Sequence, residues 1–209
     1  GPVVNSGVPS GDLYVARPSL NVAEGVAVGG FLTQGNPLSR QTNSVTGADV
    51  RINRNDWLPG NFSLNTYLLR SSDDLIGDRG YAYGLEGRLR TTNWNFAFNH
   101  LSTQASFMPA LGFVRRPGER MYDAEVRWEP RPTDSEVRYW FFEFEPRVWT
   151  DVSGDTQTFQ IGTTFFGMRL HSGDEFSLRH FWNGDLLTQP FSPVAGTVIP
   201  AGRYDWQSL

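Results

Sequence analysis

Tyr122-Asp123-Ala124-Glu125-Val126-Arg127-Trp128-Glu129 alternates without a break between apolar and charged side chains. Successive side chains of a strand point to opposite faces, so Tyr122, Ala124, Val126 and Trp128 share one side. Asp123, Glu125, Arg127 and Glu129 share the other. In a helix the same residues would be scattered around the axis, so the stretch reads as a strand with one apolar and one fully charged face. Just before it, Phe107-Met108-Pro109-Ala110-Leu111-Gly112-Phe113-Val114-Arg115-Arg116 is a connector punctuated by proline and glycine and closed by paired arginines.

The same two-faced pattern recurs along the chain. Tyr81, Tyr83, Leu85 and Leu89 oppose Ala82, Gly84, Glu86, Arg88 and Arg90, and after the reversal at Thr92-Asn93, Trp94, Phe96 and Phe98 oppose Asn95, Ala97 and Asn99. Phe62–Arg70 and Val45–Ile52, with Asp49 and Arg51 on one face, fit it as well. Glu136–Glu145, Gln157–Leu170 and Glu175–Asn183 are extended, and Leu13–Thr33 is extended and dotted with glycine. Residues 1–12 read as an N-terminal loop, and residues 13–209 as one β-barrel-like domain. No 3.6-residue period runs far enough to seat a helix. The fold expected is an all-β antiparallel meander of about nine strands.

Composition sets the outer bounds. The chain has 209 residues and a formal net charge of -4, and no basic patch stands out from its acidic background, so no nucleic-acid partner is expected. Cysteine is absent, which removes disulfides, thiolate metal sites and cysteine nucleophiles. All 18 basic residues are arginine, the side chain that holds its charge when buried and grips carboxylates through two hydrogen bonds. No apolar run is long enough for a transmembrane helix. Gly1-Pro2-Val3-Val4 lacks a basic segment followed by an apolar core, so the chain is expected to be processed or trimmed.

Alternation alone does not choose between a transmembrane barrel and a soluble sandwich, because both have one apolar and one polar face. Three features favour the barrel. Its strands suit the roughly 9–11 residues needed to cross a bilayer at a tilt. Aromatics (Tyr81, Tyr83, Trp94, Trp128, Trp140, Trp149, Trp182) recur near segment ends, where interfacial girdles lie. The polar face interleaves both charge signs, as ion-pair ladders lining a lumen would. On this reading Tyr122, Val126 and Trp128 face lipid. Glu86, Arg88, Arg90, Asp123, Glu125, Arg127, Glu129 and Arg116 are the lumen-lining or binding candidates.

Motif order adds a resemblance. Tyr14-Val15-Ala16-Arg17 is followed by Val28-Gly29-Gly30-Phe31-Leu32-Thr33 and by Gly47-Ala48-Asp49. Next come Phe107, Pro109, Gly112, Phe113 and Arg116, then Pro190-Phe191 and Ile199-Pro200-Ala201-Gly202-Arg203-Tyr204. In this order the chain resembles an uncharacterised family of bacterial outer-membrane β-barrel domains that often follow a family-9 carbohydrate-binding-like module. Such barrels continue past the Gly-x-Tyr element, so the resemblance implies a portion of a barrel. It also implies an outer-membrane location in the cell envelope. The partners implied are membrane lipid or detergent, further segments of the same barrel or a partner chain, and glycan. The function expected is a charged-lumen barrel, as a pore or as a surface-anchored component of glycan handling. A soluble carbohydrate-binding β-sandwich is the alternative.

Candidate chemistry is sparse. Glu143 and Glu145 lie two apart on one face, a spacing that suits either the carboxylate pair of a glycoside hydrolase or partners for arginines across a ladder. His100, His171 and His180 have no metal-ligand spacing. Asp73, Asp74 and Asp78, with Asp151 and Asp155, suit ordinary turns better than a calcium loop. No catalytic residue, metal or cofactor is assigned.

Overall fold

The structure is a computed structural model that describes residues 12–37, 42–73 and 79–209. Twelve strands follow one another: β1 (Tyr14–Ala16), β2 (Ser19–Ala23), β3 (Val26–Gln34), β4 (Asn43–Arg54), β5 (Asn61–Asp73) and β6 (Arg79–Arg90), then β7 (Trp94–Thr103), β8 (Glu119–Trp128), β9 (Val137–Asp151), β10 (Thr156–Leu170), β11 (Glu175–Leu187) and β12 (Gly202–Ser208). From β3 to β12 each strand pairs with the next, while β1 and β2 both pair with β3. The fold is thus an all-β antiparallel meander, with no helix among the described residues. No pairing joins β12 to β1 or β2, so the sheet is open among the described residues.

Twelve strands replace the nine expected for identifiable reasons. The single segment read from Leu13 to Thr33 is broken twice. Pro18 has no N–H to give the ladder, though its carbonyl still accepts from the Gly30 N–H at 2.9 Å. Glu24-Gly25 then turns β2 back onto β3, with Gly25 at a φ of 66° that a side chain would disfavour. The third addition is β12, which has a regular seven-residue register with β11.

Two compact units can be distinguished: the described residues of 12–52, 64–85 and 101–119 form the first, and residues 53–63, 86–100 and 120–209 the second. In the first, the buried apolar cluster is Val45, Ala82 and Phe107, packed by Phe31, Leu69 and Val114. Val45 shares its face of β4 with Asp49, so this small core lies on the charged side of the sheet. The other side leaves Leu20, Val22, Leu68, Tyr81 and Tyr83 exposed.

The second unit shows the same inversion on a larger scale. Its buried positions are mostly polar: Glu143 is 7% exposed and Thr164 2%, with Asn183 nearby and Phe141 the only large apolar group among them. Large aromatic and aliphatic side chains are exposed there as well, with Trp128 at 40% and Phe144 at 47%. Phe96, Trp94, Trp128 and Phe142 stack in a row with centroids 5.5, 5.9 and 5.4 Å apart, and Trp140 meets Phe166 at 5.1 Å. Trp149, expected in a girdle, instead stands on the charged face opposite Thr158, with the Arg147 guanidinium over its ring.

β12 reverses the order. Trp206 and Tyr204 lie opposite Asn183 and Asp185, and Gln207, Asp205 and Arg203 opposite Trp182, Gly184 and Leu186. Opposed residues of paired strands share a face, so here the aromatics join the polar side and the charges the apolar side. Arg203 is accommodated at the strand end, donating to the Thr156 carbonyl at 3.0 Å with its guanidinium over Phe159.

Candidate functional site

The charged face of the second unit converges on a recess of about 390 Å³. Its walls carry Glu86 and Arg88 from β6, Asp123 and Glu125 from β8, Glu145 and Arg147 from β9, and Arg179 from β11. Asn99 and Gln160 supply amides, and Phe98 and Phe181 the aromatic walls, Phe181 beside the guanidinium of Arg179. The period-2 alternation of each strand sends these side chains to one side, and the antiparallel registers bring them level. Glu143, for example, faces Thr164, which faces Arg179.

Opposite charges are matched across strands and, at Arg127 and Glu129, along the chain. Arg147 meets Asp123 at 2.8 Å, and Arg127 meets Glu129 at 2.8 Å and Glu143 at 3.5 Å. Arg179 donates to Glu143 at 2.6 Å and lies 3.3 Å from Glu145. The buried ring of Phe141 lies 4.3 Å from the Arg127 guanidinium and supports it from below. Thr164 accepts from Arg179 Nε at 3.1 Å, and Asn183 accepts from Gln160 at 3.0 Å. The result is a dense polar surface in which guanidinium groups hold the buried Glu143 and the partly buried carboxylates around it.

One place departs from this pairing. Between the Asp123–Arg147 and Arg127–Glu143 contacts, Glu125, Glu143 and Glu145 bring carboxylate oxygens within 4.8 Å of one another. Asn95 donates to Glu125 there, and two arginines already engage Glu143. Oxygen ligands of this kind suit a hard cation such as Ca²⁺ or Mg²⁺, with Glu125 and Glu145 the less committed of the three. The site is thereby locally rich in negative charge.

The candidates taken from the sequence fall in five places. Glu86, Arg88, Asp123 and Glu125 line the recess, while Arg127 and Glu129 belong to the adjoining ion-pair ladder. Arg90 lines a separate recess with Arg54 and Arg88. Arg116 lies in the connector of the first unit, paired with Glu119 at 3.2 Å. Tyr122, Val126 and Trp128 are all exposed on the apolar face. Glu143 and Glu145 meet arginines across the ladder.

Arg147, Arg179 and Gln160 were not among the candidates. Arg147 continues the alternation of Glu143 and Glu145, but Pro146 looks like the end of a strand because it has no N–H. In the structure β9 runs through it to Asp151, with Pro146 opposite Ile161. Arg179 is separated from Glu143 by 36 positions, and no local pattern links them.

The remaining candidates have local partners. His100 Nδ1 bonds the Met121 carbonyl at 3.0 Å, and His180 Nε2 bonds Gln207 at 3.1 Å. The backbone N–H of His171 donates to the Glu136 carbonyl at 3.0 Å. The Asp151 carboxylate accepts from the Ser153 and Asp155 amides at 2.8 and 2.9 Å, as an aspartate at the start of a turn does. Asp73 accepts from Asn43, and Asp74 and Asp78 lie outside the described residues.

Comparison with protein-family models, with curated proteins and with solved structures finds no match to this chain.

Proposed function

We propose that this chain is a non-enzymatic, membrane-spanning β-barrel domain of a bacterial outer membrane, or a large segment of one, with its charged face lining a polar interior. The observation that carries the reading is the inverted exposure: polar residues such as Glu143, Thr164 and Asn183 are buried while Trp128, Phe144 and Leu178 are not. In water this arrangement would expose apolar surface beyond what a soluble monomer ordinarily tolerates. In a bilayer it is the stable one, because lipid tails cover the apolar face while the charges on the other face stay paired or solvated.

Strand length supports the same reading. β4 to β11 run from 10 to 15 residues, enough to cross hydrocarbon at a tilt. A soluble sandwich needs a second layer over its apolar face, whereas Trp94, Phe96, Tyr122 and Val126 stand exposed. The resemblance of the motif order to the bacterial surface-barrel family is the ground for the outer-membrane location and for glycan as a partner class. The ladder of guanidinium, carboxylate and amide groups suits polar solutes, which it can meet with donors and acceptors in close alternation.

The deciding experiment is partitioning of the folded chain. Refolded protein is expected to float with phosphatidylcholine vesicles and to require detergent for monodispersity. A chain that stays folded and monomeric at high concentration without detergent would overturn the proposal in favour of a soluble module.

A further inference from the structure

We infer that residues 104–118, between β7 and β8, form a fixed constriction over the charged face of the first unit that sets the size limit of what passes. This rests on the barrel reading above. A connector of this length ordinarily runs over the outside, because its backbone groups need water. This one lies on the charged face of the sheet. Phe107 is 6% exposed and packs on Val45 and Ala82, which share their strand faces with Asp49 and Glu86.

The anchoring is specific. Asn43, itself buried, donates to the Met108 carbonyl at 2.8 Å and accepts from the Ala110 N–H at 2.9 Å. Ser71, also buried, accepts from the Met108 N–H at 3.0 Å. Gln104 clamps the start of the connector: its N–H donates to the Tyr81 carbonyl and its side chain accepts from the Tyr81 N–H, both at 3.0 Å. The sheet is recessed to receive it, since a Cβ at Gly80 would lie 2.2 Å from the Phe107 nitrogen. Two buried polar side chains on separate strands thus serve the connector's backbone, which removes the desolvation cost of folding it inward. That investment is hard to explain for a passive link, and natural for a segment that must hold its place inside a passage.

The test is unit conductance in potassium chloride after reconstitution of the full chain into planar phosphatidylcholine bilayers. Asn43→Ala removes two connector anchors and Ser71→Ala one. Both variants are expected to raise conductance, Asn43→Ala by roughly twofold or more, since the narrowest section limits flow. If Asn43→Ala does not fold, Ser71→Ala decides alone. Folded variants that insert and conduct as wild type does would overturn the constriction while leaving the barrel reading intact. A wild-type chain that never enters the bilayer would overturn both.

Discussion

Val126→Arg distinguishes a sheet face bathed in lipid from one bathed in water. Val126 is 38% exposed on the apolar face of β8, between Tyr122 and Trp128. Those two aromatics lie six positions apart, about 20 Å along a strand at about 3.4 Å per residue. Tilted by about 40°, they span about 16 Å of depth, well within an apolar band of about 25 Å. Val126 is one position from the midpoint of the pair, hence about 3 Å from its centre. An arginine near the bilayer midplane costs about 2–4 kcal/mol, and that is the loss expected. On a water-facing sheet the same change would stay within about 0.5 kcal/mol. Urea unfolding in phosphatidylcholine vesicles, followed by tryptophan fluorescence, measures it, with Val126→Leu as the neutral control. A Val126→Arg protein as stable as wild type in vesicles would refute the reasoning.

Glu143→Gln should destabilise the folded protein by about 1–2 kcal/mol, below the about 3–5 kcal/mol for breaking a buried ion pair, because Arg179 keeps Glu145 and Arg127 keeps Glu129. A double-mutant cycle with Arg179→Met should show coupling, and strict additivity would argue against the 2.6 Å contact. Gly80→Val should cost about 1–3 kcal/mol by overpacking, because its Cβ meets the backbone of Phe107 and Ser106. Protease cleavage within residues 104–118 should rise in the same variant, and unchanged cleavage would contradict the close approach. Asp56, in the exposed turn after β4, is held below the ordinary carboxylate range chiefly by its hydrogen bonds from Arg54, one of them 2.6 Å from Nε. A depressed folded pKa means that its contribution is present above the unfolded carboxylate value and is lost as pH falls through the folded one. An NMR titration should find its midpoint raised in Arg54→Gln, and an unmoved midpoint would remove the assignment.

Local pattern carried much of the architecture. Alternation identified Tyr81–Thr91, Trp94–Gln104 and Tyr122–Glu129 as strands and assigned each side chain to a face, because a strand has a fixed period of two. It did not reveal the breaks at Pro18 and Gly25, whose effect depends on which part of β3 is free to pair. Nor did it carry β9 through Pro146, and so Arg147 was left out of the site. At β12 the alternation is present, but register with β11 decides which face it joins, and that register puts Trp206 beside Asn183.

By itself, then, the sequence determined the all-β class, the two-sided strands and the charged character of one side. These follow from backbone geometry acting over a few neighbouring residues. Only the tertiary structure decided that Glu143, Thr164 and Asn183 on the charged side are buried, that Glu143 meets Arg179 from 36 positions away, and that the connector is held on that side by Asn43 and Ser71. Each of these depends on strand pairing and chain reversal, which bring together residues with no periodic relation in the sequence. A side chain's face is set within its own strand, but its partner is set by the whole sheet.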